Sequence, residues 1–176
     1  LAAMSHEIRT PMIGVTGMIE VLGHTHLDAE QQRSLSVISS SAESLLRIIG
    51  DILDFSKIEA GKMELEPLPT SLPDLLNSVA ANYSGTASSK GLLLLCEIDP
   101  TIAPAHYADP VRLRQVLSNF LSNALKFTER GRITIAAECA GHEPKAGAMG
   151  SDAIVFRVTD TGIGISQQAQ ARLFQP

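Results

Sequence analysis

The segment near the amino terminus carries the first group of side chains that could do chemistry. Glu7 follows His6 directly, and Thr10 lies four residues beyond the histidine. On a helix, a neighbouring carboxylate can orient an imidazole or take its proton, and a residue four positions away shares the histidine's face. Because imidazole is a good nucleophile, this group predicts a reactive histidine rather than an ordinary surface one.

A second group of polar side chains follows one face of a predicted helix. Asn119 and Asn123 are one turn apart, and Lys126 lies three residues beyond Asn123. Amide oxygens suit a hydrated cation such as Mg²⁺, whereas amide and ammonium hydrogens suit phosphate oxygens. The group could therefore hold a metal triphosphate. A polar helix face that is merely solvated gives the same pattern, so both readings stay open here.

A third group follows a predicted strand near the end of the sequence. Gly162 and Gly164 bracket an isoleucine, and glycine lets the backbone approach a ligand closely. The carboxylate of Asp160, at the end of the strand, can accept a hydrogen bond from an amine such as that of adenine. An ordinary turn has the same composition, so this group alone leaves a nucleotide site and a turn equally open.

The reactive histidine lies on a predicted helix with a coiled-coil seam. Small or apolar residues recur at alternating intervals of three and four, which places His6 on the water-facing side of the helix. Pro11 lacks an N–H, so we expect a kink one turn after the histidine. The helix should end near Leu22, before Gly23. The seam consists of Leu1, Met4, Ile8, Pro11, Val15, Met18 and Leu22.

A second helix with the same spacing follows a short connection. Asp28 and Gln31 form a capping-box pattern at its start, and Gly61 marks its end. Two such helices form an antiparallel hairpin whose apolar stripes are too wide to cover each other, so we expect a dimeric four-helix bundle. Packing on the rest of the chain is the alternative. The second seam consists of Leu35, Ile38, Ala42, Leu45, Ile49, Ile52 and Ser56.

The composition changes after Lys62, where three prolines within a short stretch interrupt the helical pattern. We therefore predict two domains, at residues 1–62 and 63–176. The predicted elements of the second domain are a strand over 63–68, a helix over 72–87, a strand over 92–98, a helix opening at Asp109 and Pro110, and strands over 132–138 and 153–159 joined by a glycine-rich stretch at 141–150.

Bulk composition excludes several classes of function. The 176 residues carry a net charge of −5, which argues against nucleic acid or an anionic membrane as the main partner. No run of 18 apolar residues and no signal peptide are present, so we expect no membrane-spanning segment in this sequence. Cys96 and Cys139 have no metal-ligand spacing and are expected to be buried, reduced thiols.

Each of the three groups resembles a motif of one protein family. Residues 4–11, Met-Ser-His-Glu-Ile-Arg-Thr-Pro, resemble the phosphoacceptor box of two-component sensor histidine kinases. The second and third groups resemble, in order, the N box and G1 box of that family's ATP-binding domain, a fold shared with gyrase-type ATPases. Residues 173–176 resemble the start of its phenylalanine box. The resemblance covers essentially the whole chain and implies an α+β multidomain protein, in which a helical hairpin precedes an α/β sandwich with a mixed sheet on one side.

The resemblance also implies an activity, ATP-dependent autophosphorylation of a histidine. Mg-ATP would bind with its adenine at Asp160, within the box that contains Gly162 and Gly164. Its metal and phosphates would lie near the second group, in which both asparagines are the expected Mg²⁺ ligands. The residues implied for the metal and the phosphates are Asn119, Asn123 and Lys126.

The same resemblance implies roles for the residues of the first helix. His6 would attack the γ-phosphoryl group while Glu7 stabilises the imidazolium or takes its proton. Thr10 would position a water for the reverse phosphatase reaction. The phosphoryl group would then pass to an aspartate on a response-regulator receiver domain, and the apolar residues Met12 and Ile13, which fall outside the seam, predict its docking surface.

The ends of the sequence predict a fragment of a longer protein, because it begins on a helical seam and stops within an element. The family's lid and second glycine-rich box would follow Pro176, so we expect an incomplete ATP-binding domain. One alternative is therefore a dimerising phosphoacceptor module without kinase activity of its own. A gyrase-like ATPase is another. Membrane attachment is implied only for missing parts, with this portion in the cytoplasm.

Overall fold

The structure is a computed structural model that describes residues 2–143 and 151–172, and the side chains of residues 2–6, 9, 142, 143 and 151 lie outside that description. The chain divides into two compact units, Leu1–Glu64 and Leu65–Pro176. In the described part, the first unit consists of helices and the second combines helices with strands. This is the predicted fold class.

The first unit is a helical hairpin of α1 (Ala2–Gly23) and α2 (Ala29–Glu59). The predicted capping box is confirmed: the Gln31 N–H donates to Asp28 Oδ1 at 2.8 Å, and the Asp28 N–H donates to Gln31 Oε1 at 3.0 Å. These two bonds satisfy N–H groups that the helix itself leaves without partners. α1 continues through Pro11 without ending there, and the kink stays a prediction.

Much of the predicted seam is exposed in this hairpin. Ala42 of α2 is only 6% exposed, whereas its seam neighbour Leu45 is 45% exposed. A single hairpin therefore covers one half of the α2 seam and leaves the other half in water. The exposed seam residues with large apolar side chains are Ile8, Val15, Met18, Leu22, Ile38, Leu45 and Ile52.

The prediction that Met12 stays exposed beside Ile13 is wrong. Met12 is partly buried, whereas Ile13 is 59% exposed. The hairpin explains the difference, because the side of α1 that continues from Met12 through Thr16 to Ile19 is partly buried along its length. Thr16 and Ile19 line a cavity together with Leu35 of α2. α1 thus uses this side for its partner helix, and its predicted seam is exposed from Ile8 to Leu22.

The second unit contains two sheets. Its elements are β1 (Leu68–Thr70), α3 (Leu72–Ser89), β2 (Leu93–Ile98), β3 (His106–Ala108), α4 (Pro110–Phe127), β4 (Arg132–Glu143), β5 (Ser151–Asp160) and α5 (Gln167–Gln170). β1 and β3 pair antiparallel, β2 and β4 pair parallel, and β5 pairs antiparallel with β4, in the order β2-β4-β5. The larger sheet is therefore mixed, as predicted.

The strand predicted over 63–68 is wrong. Only Leu68–Thr70 pairs, with the short strand His106–Ala108 that the sequence did not predict. The residues before Leu68 have no strand partner in the described part of the chain. The N–H of Glu66 donates instead to Asp109 Oδ2 at 3.1 Å, so this stretch is tied to the start of α4 rather than to a sheet.

An aliphatic core lies between the larger sheet and the helices α3 and α4. Leu76 of α3 and Leu121 of α4 are fully buried, as is Ile133 of β4. Cys96 and Cys139 pack against this core as partly buried free thiols, and burial raises the pKa of Cys96. The apolar stripe of α4 is what turns the opposite, polar side of this helix toward solvent.

Two aspartates fix the ends of elements in this unit. Asp109 accepts hydrogen bonds from the backbone of Arg112 and Glu66, and these bonds lower its pKa. Asp99 accepts hydrogen bonds from the side chain and backbone of Thr101, which lower its pKa in the same way. The unfolded chain lacks these bonds. Both carboxylates therefore stabilise the fold above the ordinary carboxyl pKa of about 3.9, and this stabilisation is lost as pH falls through the lowered values.

We expect Asp109→Asn to weaken the acid dependence of stability in the second unit. The amide still caps α4 but has no charge to lose, so stability should be lower at neutral pH and should fall less between about pH 5 and pH 2. Urea unfolding across this range measures the effect. Glu129→Gln is the control, because the described structure gives that exposed carboxylate no hydrogen bond. Equal acid slopes for Asp109→Asn and the unsubstituted chain would contradict the assignment.

Candidate functional site

The first predicted group lies on helix α1. Residue 6 is within the helix, but the side chain of His6 lies outside the described part of the structure, so its outward direction stays a prediction. Glu7 and Thr10 are both exposed on the same helix. Their position one and four residues after the histidine places them on adjoining and shared faces of α1.

The second predicted group lies on the solvent side of α4. Asp109 caps this helix by accepting hydrogen bonds from the N–H groups of Val111 and Arg112, both at 3.0 Å, and Pro110 occupies its first turn. The buried stripe then fixes which residues face water. Those of the second group, Asn119, Asn123 and Lys126, are all exposed.

The two asparagine side chains are available to a ligand. No residue in the described ranges forms a hydrogen bond with the side-chain amide of Asn119 or Asn123. Lys126 is the next polar residue of this face, and its ammonium lies 5.1 Å from the ring centre of Phe127. Two free amides and an ammonium on one helix face suit the phosphates of a nucleotide.

The third predicted group forms a loop after β5, residues 160–165, here named the glycine loop. Oδ1 of Asp160 accepts a hydrogen bond from the N–H of Gly162 at 2.8 Å. The second oxygen, Oδ2, has no hydrogen-bond partner among the described residues. This oxygen can accept from a ligand amine while the first one holds the loop in shape.

The glycine loop is fastened to the carboxyl end of α4. The N–H of Ile163 donates to the carbonyl oxygen of Phe127 at 3.3 Å. Gly162 packs so closely on the same carbonyl that a Cβ at this position would collide with it. Because Asn123 is one helical turn before Phe127, about 6 Å along the axis, this contact brings the second and third groups together.

Glycine is required at two positions of the loop for different reasons. Gly162 is required because space beside the Phe127 carbonyl admits no side chain. Gly164 has a φ of 68°, in the left-handed region that other residues rarely adopt. The sequence predicted that the backbone at both positions approaches a ligand closely. In the structure, each glycine shapes the loop itself.

Exposed apolar side chains occur on both elements, α4 and the glycine loop. Phe120 of α4 is 51% exposed and Ile163 of the glycine loop is 81% exposed. Apolar surface next to a few directed polar groups is typical of a site for a flat aromatic ligand such as a purine. The arrangement therefore fits a ligand with an aromatic base at the loop and an anionic group along α4.

The side chains of the site also determine which kind of metal ion it could hold. Within the described residues, no three His, Cys, Asp or Glu side chains are grouped as they would be around a metal. Amide oxygens of Asn119 and Asn123 are neutral ligands, so a Mg²⁺ ion here would complete its shell with phosphate oxygens and water. These residues fit a metal that arrives with a nucleotide rather than one held by the protein alone.

Several contacts that build the site carry no signal in the sequence. The carbonyl of Phe127 and the side chain of Thr161 hold the glycine loop, and neither belongs to a recognisable spacing. Residues 173–176, which resemble the start of a phenylalanine box, lie outside the described residues.

Two family profiles match the chain. That of the His Kinase A (phospho-acceptor) domain matches residues 1–61. That of the histidine kinase-, DNA gyrase B-, and HSP90-like ATPase matches residues 108–176. The first contains the predicted phosphoacceptor box and the second contains the α4 face and the glycine loop. The chain therefore combines a His Kinase A phospho-acceptor domain with an ATPase domain of the histidine kinase type, the two domains that its three motifs indicated.

Similar proteins agree with this assignment. The chain is 40% identical over all of its length to sensor histidine kinase RcsC of Salmonella typhimurium (strain LT2), and 42% identical over 99% of its length to signal transduction histidine-protein kinase BarA of Escherichia coli (strain K12). It spans only 18% of the length of each. None of the helices in the described part combines the length and apolar character that crossing a membrane requires.

Solved structures share the fold. A crystal structure of full-length ShkA in complex with AMPPNP has a TM-score of 0.72 and 36% identity, over 99% of this chain and 35% of that one. The histidine kinase ThkA in complex with the response regulator protein TrrA has a TM-score of 0.57 and 23% identity, over 99% of this chain and 48% of that one. The second likeness concerns the fold alone.

Proposed function

We propose that the second unit binds Mg-ATP and that His6 accepts the γ-phosphoryl group, as the first reaction of a two-component phosphorelay. The observation that carries this proposal is the junction between the glycine loop and α4. There the loop that begins at Asp160 contacts the carbonyl of Phe127, and Phe127 lies one helical turn after the exposed Asn123. Membership of the histidine kinase family supports the same reading.

Each residue of the proposed site binds a different part of the nucleotide. Oδ2 of Asp160 accepts a hydrogen bond from the adenine amine, and the close packing of Gly162 on the Phe127 carbonyl holds the loop that carries this carboxylate. Along α4 the amides of Asn119 and Asn123 bind the phosphates and the metal, and Lys126 adds a positive charge. When bound, Mg²⁺ supplies neutralisation of the phosphate oxygens.

Phosphoryl transfer then depends mainly on placement. A nitrogen of the His6 imidazole attacks the γ-phosphorus, the bond to the bridging oxygen breaks, and ADP leaves with that oxygen. Glu7, which is exposed beside the histidine, stabilises the imidazolium and accepts its proton. Thr10 orients a water for the opposing phosphatase reaction, in which the phosphoryl group is transferred to that water and leaves as phosphate.

The first unit supports a dimer and a second partner. The exposed seam of the hairpin is a continuous apolar face that a second copy would cover, giving a four-helix bundle. Ile13 remains exposed beyond the histidine and provides an apolar contact for a receiver domain, whose aspartate takes the phosphoryl group. We place the chain in the cytoplasmic portion of a membrane-attached sensor, on the strength of its family.

Incubation of the purified chain with γ-labelled ATP tests the proposal. We expect an acid-labile label that is lost in His6→Gln and kept in His24→Gln, a histidine of the same hairpin that is exposed near the helix connection. Label gained only after an intact kinase is added would support the alternative of a phosphoacceptor module. ATP hydrolysis unchanged by His6→Gln, without label, would instead support a gyrase-like ATPase.

A further inference from the structure

The hydroxyl of Thr161 joins the glycine loop to the turn between α4 and β4. Oγ1 of Thr161 accepts a hydrogen bond from the N–H of Arg132 at 3.1 Å. The same oxygen lies 3.3 Å from the carbonyl oxygen of Arg130 and 3.4 Å from that of Arg132, to either of which it can donate. The backbone adds a bond from the Thr161 N–H to the Arg132 carbonyl at 3.2 Å.

The turn is shaped around this hydroxyl. Gly131 lies between the two arginines with a φ of 111°, and a Cβ at this position would collide with Oγ1 of Thr161. The hydroxyl thus occupies the space that a side chain at residue 131 would take. A glycine in the turn and a hydroxyl in the loop fit each other, although they lie 30 residues apart in the sequence.

The glycine loop therefore has two separate attachments. One is the pair of contacts that Gly162 and Ile163 make with the Phe127 carbonyl at the end of α4. The other is the set of bonds from Thr161 to the turn that follows α4. Asp160 directly precedes Thr161 in the chain, and its Oδ1 accepts a hydrogen bond from the N–H of Gly162, so the carboxylate is linked to both attachments.

We propose that Thr161 is a positioning residue of the nucleotide site, because its hydroxyl fixes where the Asp160 carboxylate stands relative to the asparagine face of α4. The inference rests on the proposed function, since it assigns Thr161 to the adenine side of that site. Thr161 acts through Asp160 and need not touch the nucleotide. A purely structural hydroxyl would stabilise the loop without affecting which base is bound.

Comparison of ADP with IDP separates these two roles, because hypoxanthine lacks the exocyclic amine that Asp160 would bind. We expect the full chain to prefer Mg-ADP to Mg-IDP. Thr161→Val keeps the shape but removes the hydroxyl, and should weaken ADP binding about five- to tenfold, as expected for one or two lost hydrogen bonds. IDP binding should change less, so the preference shrinks. Thr161→Ser should restore it.

Thr159→Val is the matched control. Thr159 is exposed, lies two residues earlier on β5, and has no hydrogen bond from its side chain in the described part of the structure. Thr159→Val should leave the affinities for Mg-ADP and Mg-IDP unchanged. An ADP to IDP affinity ratio in Thr161→Val equal to that of the unsubstituted chain would overturn the positioning role, whatever the effect on stability.

Hydrogen exchange of the backbone amides, measured without nucleotide, tells whether this inference alone is wrong or the proposed function is wrong as well. Thr161→Val should speed exchange at residues 161–163, and Thr159→Val should not. If the unsubstituted chain binds no adenine nucleotide, the proposed function and the positioning role both fall, and faster exchange would then report only a loop anchor. If it prefers ADP but Thr161→Val changes neither exchange nor preference, only the positioning role is wrong.

Discussion

Gly162→Ala should lower the affinity for Mg-ADP by up to about a hundredfold, the cost expected when the hydrogen bond from the adenine amine to the charged Asp160 is lost. The added Cβ would collide with the Phe127 carbonyl and approach Oδ1 of Asp160 to 2.8 Å. The loop has to leave α4 to make room. The hydrogen bond from Ile163 to the helix is then lost, and the Asp160 carboxylate moves with the loop.

Titration calorimetry with Mg-ADP measures this effect, and Gly85→Ala is its control. Gly85 lies within α3 of the same unit and has no atom near enough to meet a Cβ, so alanine there should leave binding unchanged and add slightly to stability. Circular dichroism should show both variants folded. Wild-type affinity in a folded Gly162→Ala chain would mean that the junction with α4 is not part of the nucleotide site.

Leu45→Glu should convert a dimer into a monomer. Leu45 is on the half of the α2 seam that the hairpin leaves in water, and a second copy would bury it. A carboxylate in that apolar face has no partner, and its desolvation should weaken the dimer by more than about a hundredfold. Light scattering across a dilution series measures the molar mass of the unsubstituted protein and of the Leu45→Glu variant.

The matched control for the dimer is Ser40→Glu, which adds the same charge to α2 away from the seam. Ser40 is exposed, and among the described residues its hydroxyl bonds only to the carbonyl of Val37 in its own helix. We expect Ser40→Glu to remain dimeric. A monomeric unsubstituted chain at micromolar concentration would show that something other than a second copy covers the exposed seam.

Local signals in the sequence predicted the helices well. The capping box of α2 depends on two residues three apart, and the start of α4 depends on an aspartate followed by proline. Such signals act within a few residues and need no knowledge of the fold. The polar face of α4 followed from the same helical spacing, so three predicted site residues could be placed before the structure was known.

Contacts between distant segments could not be predicted in this way. Alternation over 63–68 indicates a strand only if another strand lies beside it, and here Asp109 takes the Glu66 N–H instead. The fit between Gly131 and Thr161 joins the turn before β4 to the loop after β5, so neither residue reveals the other in the sequence. The exposure predicted for Met12 was wrong for a related reason, because the sequence does not tell which side of α1 its partner helix covers.

An NMR titration of the full chain with Mg-ADP tests the proposed site most directly, because it identifies the amide resonances that shift. We predict that the side-chain amides of Asn119 and Asn123 and the backbone amides of Gly162 and Gly164 shift together, with one common dissociation constant. These four groups lie on two elements that meet at the end of α4. Shifts confined to one element, or to the helices of the first unit, would contradict a nucleotide site built from both.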